Sequence, residues 1–197
     1  KFYNLYKNIT HQGRCELNMK YMIVSDIHGS AYYSEKAIKL FEDNNCDLLI
    51  LLGDILYHGP RNPLPKGHDP QAVVSLLNPY ASKIIAVRGN CDAEVDQMLL
   101  NFPCLSDYAL IVDNNITLFA THGHIYHEES LPKLSKNIFL YGHTHLWTLK
   151  KVDKLLICNP GSISLPKENR PNTYAIYESG SIGIYDLNGE KLSSMTI

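Results

Sequence analysis

The sequence contains no apolar run long enough to cross a membrane, for which about 20 consecutive residues are needed. It also has no pair of cysteines spaced as C-x-x-C. Its five cysteines, Cys15, Cys46, Cys91, Cys104 and Cys158, are odd in number and scattered. That pattern excludes a disulfide framework and points to a reducing, cytoplasmic compartment. A surplus of basic charge is missing as well: 18 Lys and Arg stand against 20 Asp and Glu, a net charge of -2 with His neutral. This argues against a strongly basic nucleic-acid surface, and leaves a small phosphate-bearing ligand open. No internal repeat and no domain boundary interrupts the 197 residues. Residues 1–18 have no apolar stretch of the secretory kind and no clear period. They are read as an upstream extension, with the natural start at or near Met19 and residues 19–197 forming a single domain.

Hydrophobic residues make up 45% of the chain and charged residues 19%, the proportions of a globular protein with a sizeable core. The compositional excess is histidine, nine in all, of which five fall between His122 and His145. Periodicity predicts a strand at Tyr21–Val24, a helix over Ser34–Asn44 with Ser34 as its cap, and a strand at Asp47–Leu52. That is a βαβ unit with a parallel pair. A Pro- and Gly-rich loop, Tyr57–Pro70, leads into a helix capped by Asp69 with Pro70 at its first position. A strand at Lys83–Val87 and a short helix at Ala93–Leu100 follow. The second half predicts a hairpin, Tyr108–Val112 with Ile116–Ala120, then a short helix at Glu128–Leu134 and a strand at Ile138–Tyr141. Strands at Thr148–Val152 and Leu155–Cys158 pair around Asp153. A meander of Thr173–Tyr177, Ser181–Tyr185 and Lys191–Ile197 closes the chain. The carboxyl half is therefore expected to be mostly antiparallel, and two packed sheets flanked by helices are the natural architecture.

Five of the predicted strands end in a short polar cluster: Asp26-Ile27-His28, Gly53-Asp54, Gly89-Asn90, His122-Gly123-His124 and Gly142-His143-Thr144-His145. Any one of these, taken alone, reads more readily as a turn with satisfied polar side chains. Turn chemistry favours Asn, Asp, Ser and Pro, however, and does not call for His. Five strand ends built from Asp, Asn and His suit a hydrolytic site for divalent metals, with too many donors for one ion. The glycines among them fit backbone that must pass close to such ions.

At this point the sequence resembles a family. Asp-x-His, Gly-Asp, Gly-Asn, His and Gly-His-x-His look like the signature of the calcineurin-like metallophosphoesterases. Longer segments are similar to the YfcE group of bacterial phosphodiesterases: Ser25–Ser30, His58-Gly59-Pro60-Arg61-Asn62, Arg88–Asp92, Glu94–Leu100, Gly142–His145 and Asn159-Pro160-Gly161-Ser162. The resemblance spans about Met19 to Ile197. It implies a four-layer α/β/β/α sandwich, an α/β fold of two mixed sheets flanked by helices. It also implies two divalent ions, manganese foremost, with zinc, iron, cobalt and nickel as alternatives. Asp26, His28, Asp54 and His145 would hold one ion; Asp54, Asn90, His122 and His143 would hold the other, with Asp54 as the bridge.

The implied activity is hydrolysis of a small phosphodiester by a hydroxide that bridges the two ions. Asp54, Asn90, Cys91 and His124 are the candidate catalytic residues. His58 and Arg61, with Asn90 and Cys91, are the candidate substrate contacts. Cys91 departs from the superfamily pattern, in which a His commonly follows the Asn and serves the leaving oxygen. A thiol is a weak donor and a poor acid for an alkoxide, so the expectation is either a preference for good leaving groups or a donor from elsewhere, for which His58, Arg61, His124 and His127 are the candidates. Asp92 is read as orienting a neighbour. The alternative is a scaffold like the retromer subunit that shares the fold but has lost part of the ligand set; here every ligand position holds a competent residue. The partners expected are a small phosphodiester and a second copy of the chain, with no membrane and no nucleic-acid footprint.

Overall fold

In the computed structural model, residues 19–133 and 136–197 are described. The expected extension 1–18 lies outside them. Strand β1 (Lys20–Val24) leads to helix α1 (Ala31–Asp43) and strand β2 (Leu48–Leu51). The cap of α1 is Ser30, whose Oγ accepts the Tyr33 N–H at 3.2 Å. The expected cap, Ser34, lies buried inside the helix, because the chain turns helical directly after the Asp26–His28 cluster. Helix α2 (Pro70–Leu77) begins as the sequence predicts, with Asp69 accepting from the Ala72 N–H at 3.0 Å and Pro70 in the first turn. Strand β3 (Ile84–Ala86) and helix α3 (Glu94–Leu99) complete the amino half.

Strands β4 (Tyr108–Asp113) and β5 (Ile116–Thr121) form the predicted hairpin. The helix expected at Glu128–Leu134 is a single 3-10 turn at Glu128–Ser130, and Leu131 is extended. Pro132 is the reason: the residue before a proline avoids helical backbone, and the proline has no N–H to continue a helix. Residue 134 itself is outside the described residues. Strands β6 (Ile138–Leu140), β7 (Thr148–Val152) and β8 (Leu155–Asn159) follow, then β9 (Thr173–Glu178), β10 (Ser181–Asp186) and β11 (Lys191–Thr196).

The strands form two mixed sheets, ordered β11-β10-β9-β1-β2-β3 and β4-β5-β6-β8-β7. Strand β9 enters the first sheet beside β1, antiparallel to it, so the end of the chain completes the sheet begun at its start. The carboxyl half is less antiparallel than expected. Strands β5, β6 and β8 run parallel, so neither β6 nor β8 is joined to its parallel neighbour by a hairpin.

Alternation along the strands sorts the core into layers. Met22, Val24, Leu49 and Leu51 face the helices and pack with Phe41, Val73 and Phe102. Tyr21, Ile23, Ile50 and Leu52 face the other sheet and meet Leu118, Ala120, Leu140, Leu156 and Cys158. The outer face of the second sheet buries Phe119, Phe139 and Ile157 beneath Tyr126 and Leu131. That fourth layer is thin. Glu128 ties it down, accepting the Tyr141 hydroxyl at 2.8 Å and pairing with Lys150 at 2.6 Å. Parallel β1, β2 and β3 open on the same edge as parallel β5 and β6, and all five carboxyl ends converge there.

Candidate metal centre

The side chains at that edge are held by backbone more than by one another. The Nδ1–H of His28 donates to the Tyr57 carbonyl at 2.9 Å, that of His122 to Leu52 at 2.6 Å, and that of His145 to Leu165 at 2.6 Å. A carbonyl only accepts, so each ring carries its proton on Nδ1 and turns a bare Nε2 inward. Two of these face each other: His28 Nε2 lies 3.2 Å from His145 Nε2. His122 Nε2 lies 3.2 Å from His143 Nδ1 and 3.1 Å from Asn90 Oδ1. Buried lone pairs pointed at one another need a cation, either a proton or a metal ion.

Carboxylates complete both groups. Asp26 Oδ1 is fully buried with no hydrogen-bond partner, 3.3 Å from His145 Nε2 and 3.7 Å from His28 Nε2. Asp54 Oδ2 lies between the groups, 3.7 Å from His28 Nε2 and 3.4 Å from His122 Nε2. Asp26, His28 and His145 converge closely enough to hold an ion, as do Asp26, Asp54 and His122. Oxygen and imidazole donors with a buried, unpartnered carboxylate oxygen fit divalent metals of the Mn, Fe and Zn type.

The remaining oxygens are used for positioning. Asp54 Oδ1 accepts the Cys91 N–H at 2.8 Å, and Asp26 Oδ2 accepts the Ser25 hydroxyl at 2.6 Å and the His143 N–H at 3.1 Å. Asp92 orients its neighbours as expected: its carboxylate accepts the N–H groups of Gly89, Asp54 and Ile55 at 2.7, 2.8 and 2.8 Å. The Asp26 carbonyl accepts both Ser162 and Ser164 hydroxyls at 2.8 Å. Two glycines are required by close approach: a Cβ on Gly89 would stand 2.1 Å from Asp54 Oδ1, and one on Gly142 only 1.9 Å from Ser25 Oγ.

The electrostatics follow the geometry. Burial opposes the charge on Asp26, yet His145 and His28 hold its carboxyl well below the ordinary range. His122 is also disfavoured by burial, but Asp54 beside it pushes the imidazole up to about 9. Burial raises the Cys91 thiol to about 12, and Asp54 adds to the effect, so the group is a neutral thiol at neutral pH. Asp92 is pushed up to about 6 by burial, against its three N–H bonds.

The donors front a cavity of about 850 Å³ lined by Asp54, Asn90, Cys91, His143 and His145, with Arg61 and Lys167 also on its wall. Of the expected substrate contacts, Asn90, Cys91 and Arg61 line it. His58 instead packs edge-on against Tyr57 and His68. His124 sits behind His122 and His143, with ring centroids 5.2 and 6.3 Å away, and burial lowers its pKa. Sequence reasoning missed Ser164, Lys167 and the carbonyls of Leu52, Tyr57 and Leu165. Backbone acceptors have no residue signature, and Lys167 has only the motif Asn159–Ser162 shortly before it to mark the segment.

The family model described as calcineurin-like phosphoesterase superfamily domain matches residues 19–181. The phosphodiesterase YfcE of Escherichia coli K12 is 43% identical over 175 residues, covering 88% of this chain and 95% of that protein. A probable metallophosphoesterase of Bacillus subtilis, YsnB, is 27% identical over 189 residues, covering 90% of this chain and 96% of its own length. The solved structure of the E. coli phosphoesterase YfcE superposes with a TM-score of 0.88 at 42% identity, covering 91% of this chain and all of that one.

Proposed function

The chain belongs to the calcineurin-like phosphoesterase superfamily and is a phosphoesterase, and from this we propose a dinuclear, manganese-dependent phosphodiesterase for small phosphodiesters. The observation that carries the reading is Asp54 Oδ2 lying between His28 Nε2 and His122 Nε2. One carboxylate oxygen thereby serves both donor groups. Asp26, His28, Asp54 and His145 would hold one ion, and Asp54, Asn90, His122 and His143 the other. Bound there, divalent ions supply an activated water and neutralise the phosphoryl oxygens.

The protein's own residues do the rest. Leu52, Tyr57 and Leu165 carbonyls hold the Nδ1–H of three imidazoles, so that Nε2 is the nitrogen each would offer to an ion. Asp92 holds the Asp54 turn from behind. Asn90 presents Oδ1 to the centre, since its Nδ2 donates to Cys91 Sγ at 3.2 Å. Cys91, as a neutral thiol on the cavity wall, offers a leaving alkoxide little acid assistance. This supports a preference for diesters with good leaving groups over alkyl monoesters. The thiols of Cys46, Cys91, Cys104 and Cys158 are free, which supports a reducing, cytoplasmic setting. No helix among the described residues is long and apolar enough to cross a membrane.

The test is a panel of aryl and alkyl phosphodiesters and monoesters, each assayed with Mn²⁺, Zn²⁺ and Mg²⁺. Turnover of aryl diesters with Mn²⁺, at least about tenfold above alkyl monoesters, is expected. Equal turnover of both ester classes, or none with any ion, would contradict the proposal.

A further inference from the structure

Two cations on the wall of the cavity are not used by the chemistry proposed above. Arg61 and Lys167 both line it. Some surface cations pair with carboxylates, Lys39 with Asp43 at 2.8 Å, Lys150 with Glu128 at 2.6 Å and Arg170 with Glu168 at 3.5 Å, and others lie over aromatic rings, as Lys66 does over Tyr32. Among the described residues, neither Arg61 nor Lys167 has a carboxylate within ion-pair distance. Both are anchored close to the centre by the backbone. Lys167 stands two residues after Leu165, whose carbonyl takes the His145 Nδ1–H, and its own N–H donates to the His145 carbonyl at 3.4 Å. Arg61 stands four residues after Tyr57, whose carbonyl takes the His28 Nδ1–H, and Asn62 closes its turn on the His58 carbonyl at 2.9 Å. The two segments that orient His28 and His145 therefore carry one free cation each to the same cavity.

A phosphodiester has a single negative charge, and its reacting phosphate belongs at the donor groups. Two further cations on the wall of the same cavity can take a second anion. A guanidinium and an ammonium together suit the tetrahedral, multiply charged phosphate. We propose that Arg61 and Lys167 form a second phosphate subsite, so that the preferred substrate is a phosphodiester carrying an additional phosphate group. This inference rests on the phosphodiesterase reading above.

The experiment uses two chromogenic esters that differ by one phosphate: thymidine 5′-(p-nitrophenyl phosphate), with and without a 3′-phosphate. The ratio of their kcat/KM values is read in the Mn²⁺-loaded wild type, Lys167→Ala and Arg61→Ala. The expected result is a preference of about tenfold for the 3′-phosphorylated ester, expressed in KM and shrinking as salt is raised. Each variant should lose most of that preference. Hydrolysis of both esters without preference in the wild type would overturn the subsite, as would a preference that survives in both variants. Failure to hydrolyse either ester would instead overturn the phosphodiesterase reading, and the subsite with it.

Discussion

Asp26, His28, Asp54, His143 and His145 all carry left-handed backbone, with φ of 57, 53, 53, 66 and 62°. That conformation costs a residue with a Cβ about 1–2 kcal/mol, so five together are held by their surroundings. The restraints are visible: two serine hydroxyls on the Asp26 carbonyl, and the Asp92 carboxylate on the Asp54 and Ile55 amides. Among these residues charge, and not only shape, is finely balanced. With ions removed by chelation, the Asp54–His122 pair contributes stability through the protonated imidazole. Its folded pKa of about 9 lies above the ordinary value of about 6.5. The contribution is therefore complete below about pH 6.5 and lost as pH rises through about 9. The melting temperature of chelated protein should fall across that window, while the Mn²⁺-loaded protein, in which an ion replaces the proton, stays flat. Parallel pH profiles for the two forms would contradict this role. The clustering of these side chains was legible in the sequence because His is out of place in turns. Their left-handed backbone and the carbonyls behind them were not, since neither depends on a side-chain pattern.

At the level of elements, each donor follows a strand end and each strand end is crowded. Gly142, between β6 and His143, shows how tightly. An added methyl would strike Ser25 Oγ, and Ser25 Cβ would be 2.9 Å away, so the hydroxyl that holds Asp26 would have to move. Gly189, in the turn after β10, has open space around it and only its φ of 85° to lose. Gly142→Ala should cost more than ~3 kcal/mol and Gly189→Ala about 1 kcal/mol, measured by denaturant unfolding. A smaller loss at Gly142 would show that the strand ends can yield. The strands themselves were readable from short apolar runs closed by glycine, and α2 from Asp69 and Pro70. The start of α1 was not, because Ser30 looks like the tail of the preceding cluster. Nor was the stop at Leu131, where Pro132 outweighs the helix-forming Glu128–Ser130.

At the level of the molecule, the centre is a joint between the two sheets. Asp26, His28, Asp54 and Asn90 come from the ends of β1, β2 and β3, whereas His122, His143 and His145 come from β5 and β6. The apolar runs and the small number of helices pointed to two packed sheets. The insertion of β9 beside β1 and the parallel run of β5, β6 and β8 are long-range pairings with no local mark. Because Asp54 Oδ2 lies between donors of both sheets, the dinuclear proposal predicts that its loss disturbs both ions and loss of His28 only one.

The most direct test is the manganese content of the wild type, Asp54→Ala and His28→Ala after loading and desalting, read with aryl diester turnover. The account predicts about two ions per wild-type chain, about one in His28→Ala, and fewer still in Asp54→Ala with the lower activity of the two variants. One ion per wild-type chain, or Asp54→Ala matching His28→Ala in both metal and turnover, would contradict it.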